Sequence, residues 1–330
     1  MTGNVDDDGA GGGGEVGGVG GVGGGEPSGD GAPGRDGRAG IDAELVRRLI
    51  AAQFPRWADL PVAPVPVDGW DNRTYRLGDT MTVRLPTAEG YVPAVDKEHR
   101  WLPVLAPALP LPVPRLLARG EPGCGYPYPW SVRGWLEGRT ARPERIADLT
   151  AFAVSLAGFL RALRRVDATG GPAAGAHSFH RGAPPAYYDG ETRRALAALR
   201  GRIDTGRAER VWDEALASGW DRPPVWFHGD IAHGNLLVKD GRLAAVIDFG
   251  TCGVGDPACD LVIAWTLFDG PARAAFRAAL DLDDATWARA RGWLVWKALI
   301  SIAEHQATDP PQAAEHHRAL AALLADPATP

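Results

Sequence analysis

The sequence predicts an α+β protein in which a small antiparallel sheet is followed by a larger, mainly helical part. Three patterns support this prediction. Between residues 62 and 135 the chain consists of short β-like runs broken by Gly, Asp and Pro, which is typical of short strands joined by turns. Beyond residue 138, apolar side chains recur every three or four positions, as on the buried face of a helix. Within this helical part, two apolar runs are joined by Asp240 and Gly241, a residue pair that a type I′ hairpin favours.

The first forty residues differ from the rest of the 330-residue chain. They are dominated by glycine, with scattered acidic residues and almost no large apolar side chain, so they cannot offset the entropy lost on ordering. We therefore expect a disordered Gly-rich tail over residues 1–40. The remainder is long enough for two lobes, which we place at residues 41–136 and 137–330.

The N-terminal lobe is expected to begin with a helix in "DAELVRRLIAAQF", where Asp42 can cap the first turn and Leu45, Leu49 and Ile50 form an apolar face. Strands are predicted in "VPVDGW", "TYRLGD", "TVRLP" and "PWSVRGWLEG", with Gly78-Asp79 as a hairpin turn. One helix, within "PAVDKEHRWLPVL", interrupts them. This lobe is therefore predicted to be an antiparallel sheet with a packed helix.

The C-terminal lobe is expected to open with a long helix in "RPERIADLTAFAVSLAGFLRALRRV", with Pro143 in its first turn. The predicted hairpin follows in "VWFHGDIAHGNLLVKDGRLAAVIDFG". Helices then resume in "PACDLVIAWTLF" and "RGWLVWKALISIAEH". One polar hairpin is thus embedded in a helical lobe.

Composition and charge exclude several classes of function. The formal net charge of −6 gives no general attraction to nucleic acid or anionic lipid, although it would attract a cationic substrate. Cys124, Cys252 and Cys259 are too few for a disulfide framework and lack a zinc spacing, so we expect three small buried apolar residues in a reducing compartment. No apolar run reaches the length of a membrane span, and the N-terminus lacks the pattern of a signal peptide. We expect a cytoplasmic monomer or weak dimer with no nucleic-acid or membrane partner.

A cluster of polar residues lies where the predicted hairpin begins, in "HGDIAHGNLL". Asp230 and Asn235 precede the first strand, and Asp248 ends the second. Because the turn folds the strands together, residues near 235 and 248 should lie within about two strand spacings of ~4.8 Å. An amide oxygen and a carboxylate so placed can share Mg²⁺, which needs few protein ligands. The alternative is that these three are ordinary turn and cap residues.

The spacing of these residues resembles that of a known family. Asn235 follows Asp230 by five positions, Asp248 follows it by eighteen in "IDFG", and "GDPACDL" lies downstream. These segments, in this order of lobes, resemble the aminoglycoside phosphotransferase family of the protein-kinase-like superfamily. The resemblance covers about residues 60–268 and implies a bilobal protein-kinase-like fold. Asp256 and Asp260 would cap the following helix and tie the catalytic loop to it.

The resemblance also implies a role for each residue of the polar cluster. Asp230 would orient the acceptor hydroxyl and accept its proton, while Asn235 and Asp248 would hold magnesium against the phosphates of the nucleotide. His228 and His233 are expected to support the loop through hydrogen bonds.

In the N-terminal lobe, "DGWDNRTYRL" resembles the loop that covers the nucleotide phosphates. Asn72, Arg73 and Thr74 would contact phosphate, although a full G-x-G-x-x-G is missing, and an ordinary hairpin loop is the alternative. Arg84 occupies the position of the family's strand lysine, and Glu98 would be its partner unless it is a solvated helix residue. Arginine keeps the positive charge, but its geometry differs from that of lysine.

The segment "YPYPWSVRGWLEG" falls where the resemblance places a strand and the linker between the lobes, whose backbone hydrogen-bonds the purine. Trp130 and Val132, within residues 130–133, are the expected nucleotide contacts. Packing between the lobes is the alternative for this aromatic cluster.

The resemblance therefore implies an O-phosphotransferase that moves the γ-phosphate of ATP or GTP to a hydroxyl of a small, cationic, aminoglycoside-like acceptor. The alternatives are a kinase for another hydroxylated metabolite or antibiotic, such as choline, a sugar or a macrolide, and a nucleotide-binding pseudokinase, which the arginine at position 84 suggests. Acidic residues that could face a cationic acceptor, or serve as solvated or capping residues, are Asp189, Glu191, Asp213, Glu214, Asp281, Asp283, Asp284 and Glu304.

Overall fold

The structure is a computed structural model that describes residues 38, 40–65, 69, 71–305 and 308–326. Apart from residues 38 and 40, the predicted Gly-rich tail lies outside the described residues. The lobe boundaries near residues 40 and 136 stay predictions.

The first lobe is built on a five-stranded antiparallel sheet. Its strands are β1 (Val62–Pro64), β2 (Asn72–Leu77), β3 (Met81–Pro86), β4 (Leu116–Gly120) and β5 (Trp130–Gly134), in the spatial order β1-β2-β3-β5-β4. β2 and β3 pair along their whole length, and Leu77 lies opposite Met81. The predicted turn at Gly78-Asp79 is therefore confirmed.

Two helices pack against this sheet. Helix α1 (Ala43–Gln53) begins where Oδ1 of Asp42 accepts a hydrogen bond from the Leu45 N–H at 2.7 Å, so the predicted cap is confirmed. Helix α2 (Val92–Leu105) lies between β3 and β4 in the chain. Its last turn contributes Leu102 and Leu105 to the apolar core of the second lobe. α2 therefore bridges the two lobes.

The second lobe is mainly helical. Its helices are α3 (Leu149–Arg165), α4 (Asp189–Ala198), α5 (Thr205–Ala217), α6 (Ile263–Thr266), α7 (Gly270–Leu280), α8 (Asp284–His305) and α9 (Pro310–Leu324). The prediction that the first of them starts around Pro143 was wrong. Pro143 lies in a short 3₁₀ turn, and α3 begins after Asp148, whose carboxylate accepts the Ala151 N–H at 2.9 Å. Asp148 is the better capping residue, because its side chain can satisfy an N–H of the first turn.

Helix α8 forms the centre of this lobe. It packs against α4, α5 and α9, and it is buried on almost every side, with the rings of Trp287, Trp293 and Trp296 in the core. Such large rings contribute much of the apolar area buried in a core. Within the described residues, no helix combines the length and the apolar character that a membrane span needs.

The predicted hairpin is present within the helical lobe. β8 (Leu236–Lys239) and β9 (Arg242–Val246) pair antiparallel, with β6 (Arg139–Thr140) on the other side of β8. Asp240 and Gly241 have φ angles of 51° and 75°, and a type I′ turn requires two such positive values. β7 (Val225–Phe227) pairs separately with β10 (Gly253–Gly255). The α+β prediction, with a sheet in the first lobe and helices in the second, is confirmed.

Candidate active site

The loop before β8 and the end of β9 meet at one end of the hairpin. Leu236 pairs with Val246, and the Ile247 N–H donates to the carbonyl oxygen of Asn235 at 2.9 Å. Asp248 follows with a φ of 66°, a left-handed conformation that aspartate tolerates better than most residues. Asn235 and Asp248 are thus neighbours, as their spacing along the hairpin predicts.

Asp230 lies beside Asn235. The Asn235 Nδ2 donates to Oδ2 of Asp230 at 2.8 Å and to its carbonyl oxygen at 2.9 Å. The other carboxylate oxygen, Oδ1, is 3.6 Å from Nζ of Lys297, and the Asp230 side chain is 23% exposed. Asp230 is therefore fixed in position but accessible to a bound molecule.

The loop that carries Asp230 is held by buried polar groups. The two carboxylate oxygens of Asp260 accept the backbone N–H groups of His228 at 2.8 Å and Gly229 at 2.7 Å. Nδ1 of His228 accepts the Asp230 N–H at 3.2 Å, and Nε2 donates to the Ile247 carbonyl at 3.0 Å. His228 and Asp260 therefore support the loop, as expected.

Asp256 and His233 also lie in this scaffold. Asp256 accepts the Ala258 N–H at 3.1 Å and pairs with Arg289 at 2.6 Å, which confirms its capping role. His233 is 3.5 Å from the Glu315 carboxylate, while burial lowers the pKa of its imidazole.

Asp248 is held by Arg84, which extends from β3. Nη2 of Arg84 lies 3.2 Å from both carboxylate oxygens of Asp248. Burial alone would raise the pKa of Asp248, but the guanidinium groups of Arg84 and Arg133 outweigh it and keep the pKa below its usual range. Asp248 therefore stays ionised, which is the form that a hard divalent cation binds.

Glu98 pairs more closely with Arg133 than with Arg84. Arg133 donates two hydrogen bonds, of 3.1 and 2.5 Å, to the Glu98 carboxylate, whereas the nearest nitrogen of Arg84 is 4.0 Å away. The predicted Arg84–Glu98 pair is therefore present as a longer ion pair, and Arg133 is the closer partner that the prediction missed. Arg84 lies opposite Ser131 across β3 and β5, so Arg133, two residues further along β5, faces α2 from the same side of the sheet. Both arginines lie near the Glu98 carboxylate, and Arg133 is the one whose two terminal nitrogens each donate to one of its oxygens.

The residues predicted to cover the phosphates lie in a strand. Asn72, Arg73 and Thr74 are the first residues of β2, and their backbone pairs with β3. The loop was thus predicted too far along the chain, because the strand pairing extends to the Asn72–Pro86 pair. Residues 66–68 and 70 of the preceding stretch lie outside the described residues. Contact of the three side chains with phosphate stays a prediction.

Asp71, which the sequence reasoning missed, faces the same charged cluster. Burial and the neighbouring Asp248 carboxylate raise the pKa of Asp71 to about 6, against the opposing effect of Arg84. Two carboxylates and a guanidinium therefore meet where the first lobe faces the end of the hairpin. The available signal was the position of Asp71, directly before the residues assigned to phosphate.

The residues at the end of the hairpin fit a magnesium ion. Asn235 uses its amide nitrogen to bind Asp230, which leaves its amide oxygen for a metal, and Asp248 supplies a charged oxygen. Among the described residues, no group of three His, Cys, Asp or Glu side chains forms a metal site. Magnesium does not require one, because water and phosphate oxygens complete its coordination.

Comparison with known proteins agrees with this geometry. The model of the APH phosphotransferase enzyme family matches residues 62–293. The chain belongs to this family. An aminoglycoside 3'-phosphotransferase of Escherichia coli is 35% identical over 65 residues, which are 19% of this chain and 23% of the relative. The match thus covers about a quarter of the length of that curated relative.

Solved structures share the fold of this chain. The GDP complex of aminoglycoside 2'-phosphotransferase-IIIa superposes with a TM-score of 0.65 at 17% identity and covers 86% of this chain and 99% of its own. The macrolide 2'-phosphotransferase MphH of Brachybacterium faecium gives a TM-score of 0.54 at 24% identity and covers 86% and 97%. At these identities the likeness shows the fold, and it confirms the bilobal kinase-like architecture.

Trp130 and Val132 lie in the core of the first lobe. Both are fully buried, and β5 pairs with β3 on one side and β4 on the other. The Trp130 ring lies directly over Gly120, where an added Cβ would be 2.0 Å from the ring. The assignment of these two residues to the nucleotide was wrong, because their backbone belongs to the middle of a sheet. The linker to the second lobe begins after Gly134, at the end of β5.

Most carboxylates expected to face a cationic acceptor are paired with other side chains of the protein. Asp189 and Glu191 accept the indole N–H groups of two tryptophans at 2.7 Å. Asp213 pairs with Arg193, and Glu214 with Arg291. The remaining pairs and caps are Asp283 with Arg222 and Thr286, and Asp284 with Arg277.

A small cavity of about 20 Å³, here called the acceptor cavity, lies beside Asp230. Besides Asp230, its lining includes Arg181, Trp293, Trp296 and Lys297. Sequence reasoning missed all four. Lys297 did carry a signal, because it is the one charged residue in the apolar run from 292 to 303, where a lysine is rarely buried without a reason. Arg181 lies in a loop with no comparable pattern.

Proposed function

We propose that the chain is a magnesium-dependent O-phosphotransferase that moves the γ-phosphate of ATP or GTP to a hydroxyl of a small molecule. The observation that supports this proposal most directly is the arrangement at the end of the hairpin. Asp230, Asn235 and Asp248 come from two segments of the chain and lie within one hydrogen-bonded unit. Turn or cap residues alone would not need to share that position.

Each of the three residues has a distinct task in this proposal. Asp230, which lines the acceptor cavity, would orient the acceptor hydroxyl and take its proton as the phosphoryl group arrives. Asn235 and Asp248 would hold the magnesium ion. When bound, the ion neutralises charge on the nucleotide phosphates.

Arg84 would place a second positive charge near the phosphates. Burial disfavours a charged guanidinium, but the carboxylates of Asp248, Glu98 and Asp71 outweigh it and raise the pKa of Arg84 further. Arg84 is therefore a permanent cation. Because Arg84 contacts both carboxylate oxygens of Asp248, Mg²⁺ would share that carboxylate with the guanidinium.

The acceptor is proposed from the similar proteins. They are named as aminoglycoside and macrolide phosphotransferases, so hydroxylated antibiotics are the first compounds to test. Similar structures hold GDP or ADP, which supports both ATP and GTP as phosphate donors. A cationic aminoglycoside is the acceptor that the overall negative charge favours.

The test is to incubate the purified chain with Mg²⁺, ATP or GTP and a panel of aminoglycosides, macrolides and other hydroxylated compounds. Nucleotide consumption and a product heavier by one phosphate, found by mass spectrometry, would support the proposal. Tight nucleotide binding without transfer to any acceptor would instead support a pseudokinase, the alternative that the Arg84–Asp248 contact favours. Asp96→Asn, on the exposed side of α2, is a suitable control for activity lost during purification.

We also propose that the enzyme acts in the cytoplasm as a monomer or weak dimer. ATP and GTP are available there, and the three cysteines are free thiols, as is usual in a reducing compartment. Within the described residues the exposed large apolar side chains, Val104, Val154 and Tyr187, lie on different elements, which offers little surface for a stable dimer. Light scattering at micromolar concentration tests the oligomeric state.

A further inference from the structure

The acceptor cavity carries more positive than negative charge. Its lining includes two cations, Arg181 and Lys297, and one carboxylate, Asp230. The whole chain, by contrast, has a formal net charge of −6. The charged side chains of the lining therefore sum to a positive charge, whereas the chain as a whole is negative.

Arg181 is a buried cation without a carboxylate partner in the described part of the chain. The residue is 7% exposed. It donates to the Phe179 carbonyl at 3.2 Å, and its guanidinium lies 4.6 Å from the centroid of the Trp296 ring. A cation–π contact offsets part of the cost of burial, but a buried charge without an opposite charge remains unfavourable. An anionic ligand in the cavity would remove much of that cost.

Two further donors line the same cavity. Nζ of Lys297 is 3.6 Å from the Asp230 carboxylate, which is longer than a direct hydrogen bond, so the ammonium can also turn to a ligand. Trp293 is buried, and its indole N–H has no hydrogen-bond partner among the described residues. Buried polar groups usually have partners, and Trp293 is a residue of the lining whose N–H lacks one.

The carboxylates that a polycation would need are engaged elsewhere. Glu191 accepts the N–H of Trp296, a residue of the cavity lining, at 2.7 Å. Asp213 and Glu214 form ion pairs with arginines. The surroundings of Asp230 thus offer donors and cations rather than a set of free carboxylates.

We propose that the acceptor of this phosphotransferase carries an anionic group, most simply a carboxylate, near the hydroxyl that receives the phosphate. Arg181 and Lys297 determine this specificity by binding the anion. The inference rests on the proposed function, because it takes Asp230 as the residue that faces the hydroxyl. A cavity of about 20 Å³ has room for little more than a water molecule, so one oxygen of the anionic group would enter it and the rest of the acceptor would lie outside.

The test uses acceptors that differ only in charge. Small aliphatic and aromatic hydroxy acids are compared with their primary amides and the corresponding amines, for example para-hydroxymethylbenzoate, para-hydroxymethylbenzamide and para-hydroxymethylbenzylamine. Phosphate transfer is followed by nucleotide release and mass spectrometry. We expect kcat/KM for the carboxylates to exceed that for the amides by about tenfold or more, as a charge-assisted hydrogen bond implies, and the amines to be poorer still.

Substitutions of the two cations then show which side chains cause the preference for carboxylates. Lys297→Gln should raise KM for the carboxylates by about 10- to 100-fold and change KM for the amides little, so the ratio between the two acceptors separates anion binding from any effect on Asp230. Lys297→Glu should reverse the preference towards amines. Arg181→Lys should restore part of the carboxylate preference that Arg181→Gln loses. Lys239→Gln, at an exposed position at the end of β8, is the matched control and should change neither ratio.

The outcomes distinguish the inference from the proposed function. Transfer to amines, aminoglycosides or neutral alcohols, with carboxylates no better than amides, would overturn the inference and leave the function standing. Transfer to none of the compounds would count against the function. In that case, binding of the compounds to the nucleotide-loaded protein is measured by calorimetry. The carboxylates should bind to the wild type and not to Lys297→Gln. Equal binding of acid and amide would refute the inference.

Discussion

Replacement of Glu98 by glutamine tests the charge network that joins the two lobes. The Glu98 side chain is 2% exposed and accepts two hydrogen bonds from Arg133, of 3.1 and 2.5 Å, as well as the Phe249 N–H at 3.2 Å. Glutamine keeps the shape but removes the charge, and its NH₂ group would face a guanidinium that also donates. Arg133, itself 4% exposed, would become a buried cation with no ionised partner.

The expected loss of stability is large. Removing one partner of a buried ion pair costs about 3–5 kcal/mol. At about 2–4 °C per kcal/mol for a chain of this size, Tm should fall by roughly 6–20 °C. Circular dichroism during urea and thermal unfolding measures both quantities. In the double variant Glu98→Gln/Arg133→Met the two effects should not add, with a coupling of about 1 kcal/mol or more.

The matched control lies two residues earlier on the same helix. Asp96 pairs with Arg119 at 2.7 Å, but its side chain is 62% exposed, so Asp96→Asn should cost less than about 1 kcal/mol. If Glu98→Gln costs no more than this control, or if the double variant is simply additive, the Glu98–Arg133 pair does not stabilise the protein in the way described.

Three further predictions concern Arg84, His316 and the cysteines. Arg84→Lys keeps the positive charge but loses the contact of one nitrogen with both oxygens of Asp248. Phosphate transfer by this variant should be equal to or faster than that of the wild type in a steady-state assay. Complete loss of activity would show that the guanidinium is required. Burial lowers the pKa of His316 from 6.5 to about 4. As pH falls, the unfolded chain therefore binds a proton at this histidine before the folded chain does. The free energy of unfolding should then decrease between pH 6.5 and pH 4, by up to about 3 kcal/mol. His316→Leu should flatten that pH dependence of urea unfolding, and an unchanged slope would assign it to other groups. Cys124 is exposed, so the expectation of three buried cysteines was wrong, and burial raises the pKa of the other two thiols, to about 12 for Cys252. Native protein should therefore react with one equivalent of a thiol reagent such as Ellman's reagent. Fast reaction of two or three equivalents would contradict the structure.

The features that the sequence predicted well depend on local chemistry. Asp42 caps α1 and Asp240-Gly241 forms a tight turn because these residue types satisfy a backbone requirement within a few positions. The hairpin then aligns Asn235 with Asp248 without any knowledge of the rest of the fold. The arrangement of the candidate catalytic residues was therefore predictable from spacing and turn chemistry.

The features that were missed depend on tertiary contacts. Arg84 and Asp248 are 164 residues apart, and the partner of Glu98 was decided by which of two arginines on neighbouring strands fits its carboxylate. Asn72 was placed in a loop because a strand boundary depends on how far the neighbouring strand extends. No local pattern encodes these choices.

The acceptor side was the least predictable part of the site. The acidic residues are visible in the sequence, but their pairing with arginines and tryptophans is not. Lys297 comes to Asp230 from α8, 67 positions along the chain. Overall charge suggested a cationic acceptor, whereas the side chains that line the cavity favour an anionic one. The net charge sums over all ionisable residues, whereas the specificity of a binding site depends on the few side chains that line it.

The most direct test of the proposed phosphate transfer is Asp230→Asn, measured for turnover and for nucleotide affinity in the same preparation. Because the carboxylate is the proposed proton acceptor, transfer should fall by roughly 10²-fold or more, while the Kd for Mg²⁺-ATP or Mg²⁺-GTP stays within about threefold of wild type. Wild-type turnover in this variant would contradict the role of Asp230 and with it the proposed reaction at this site.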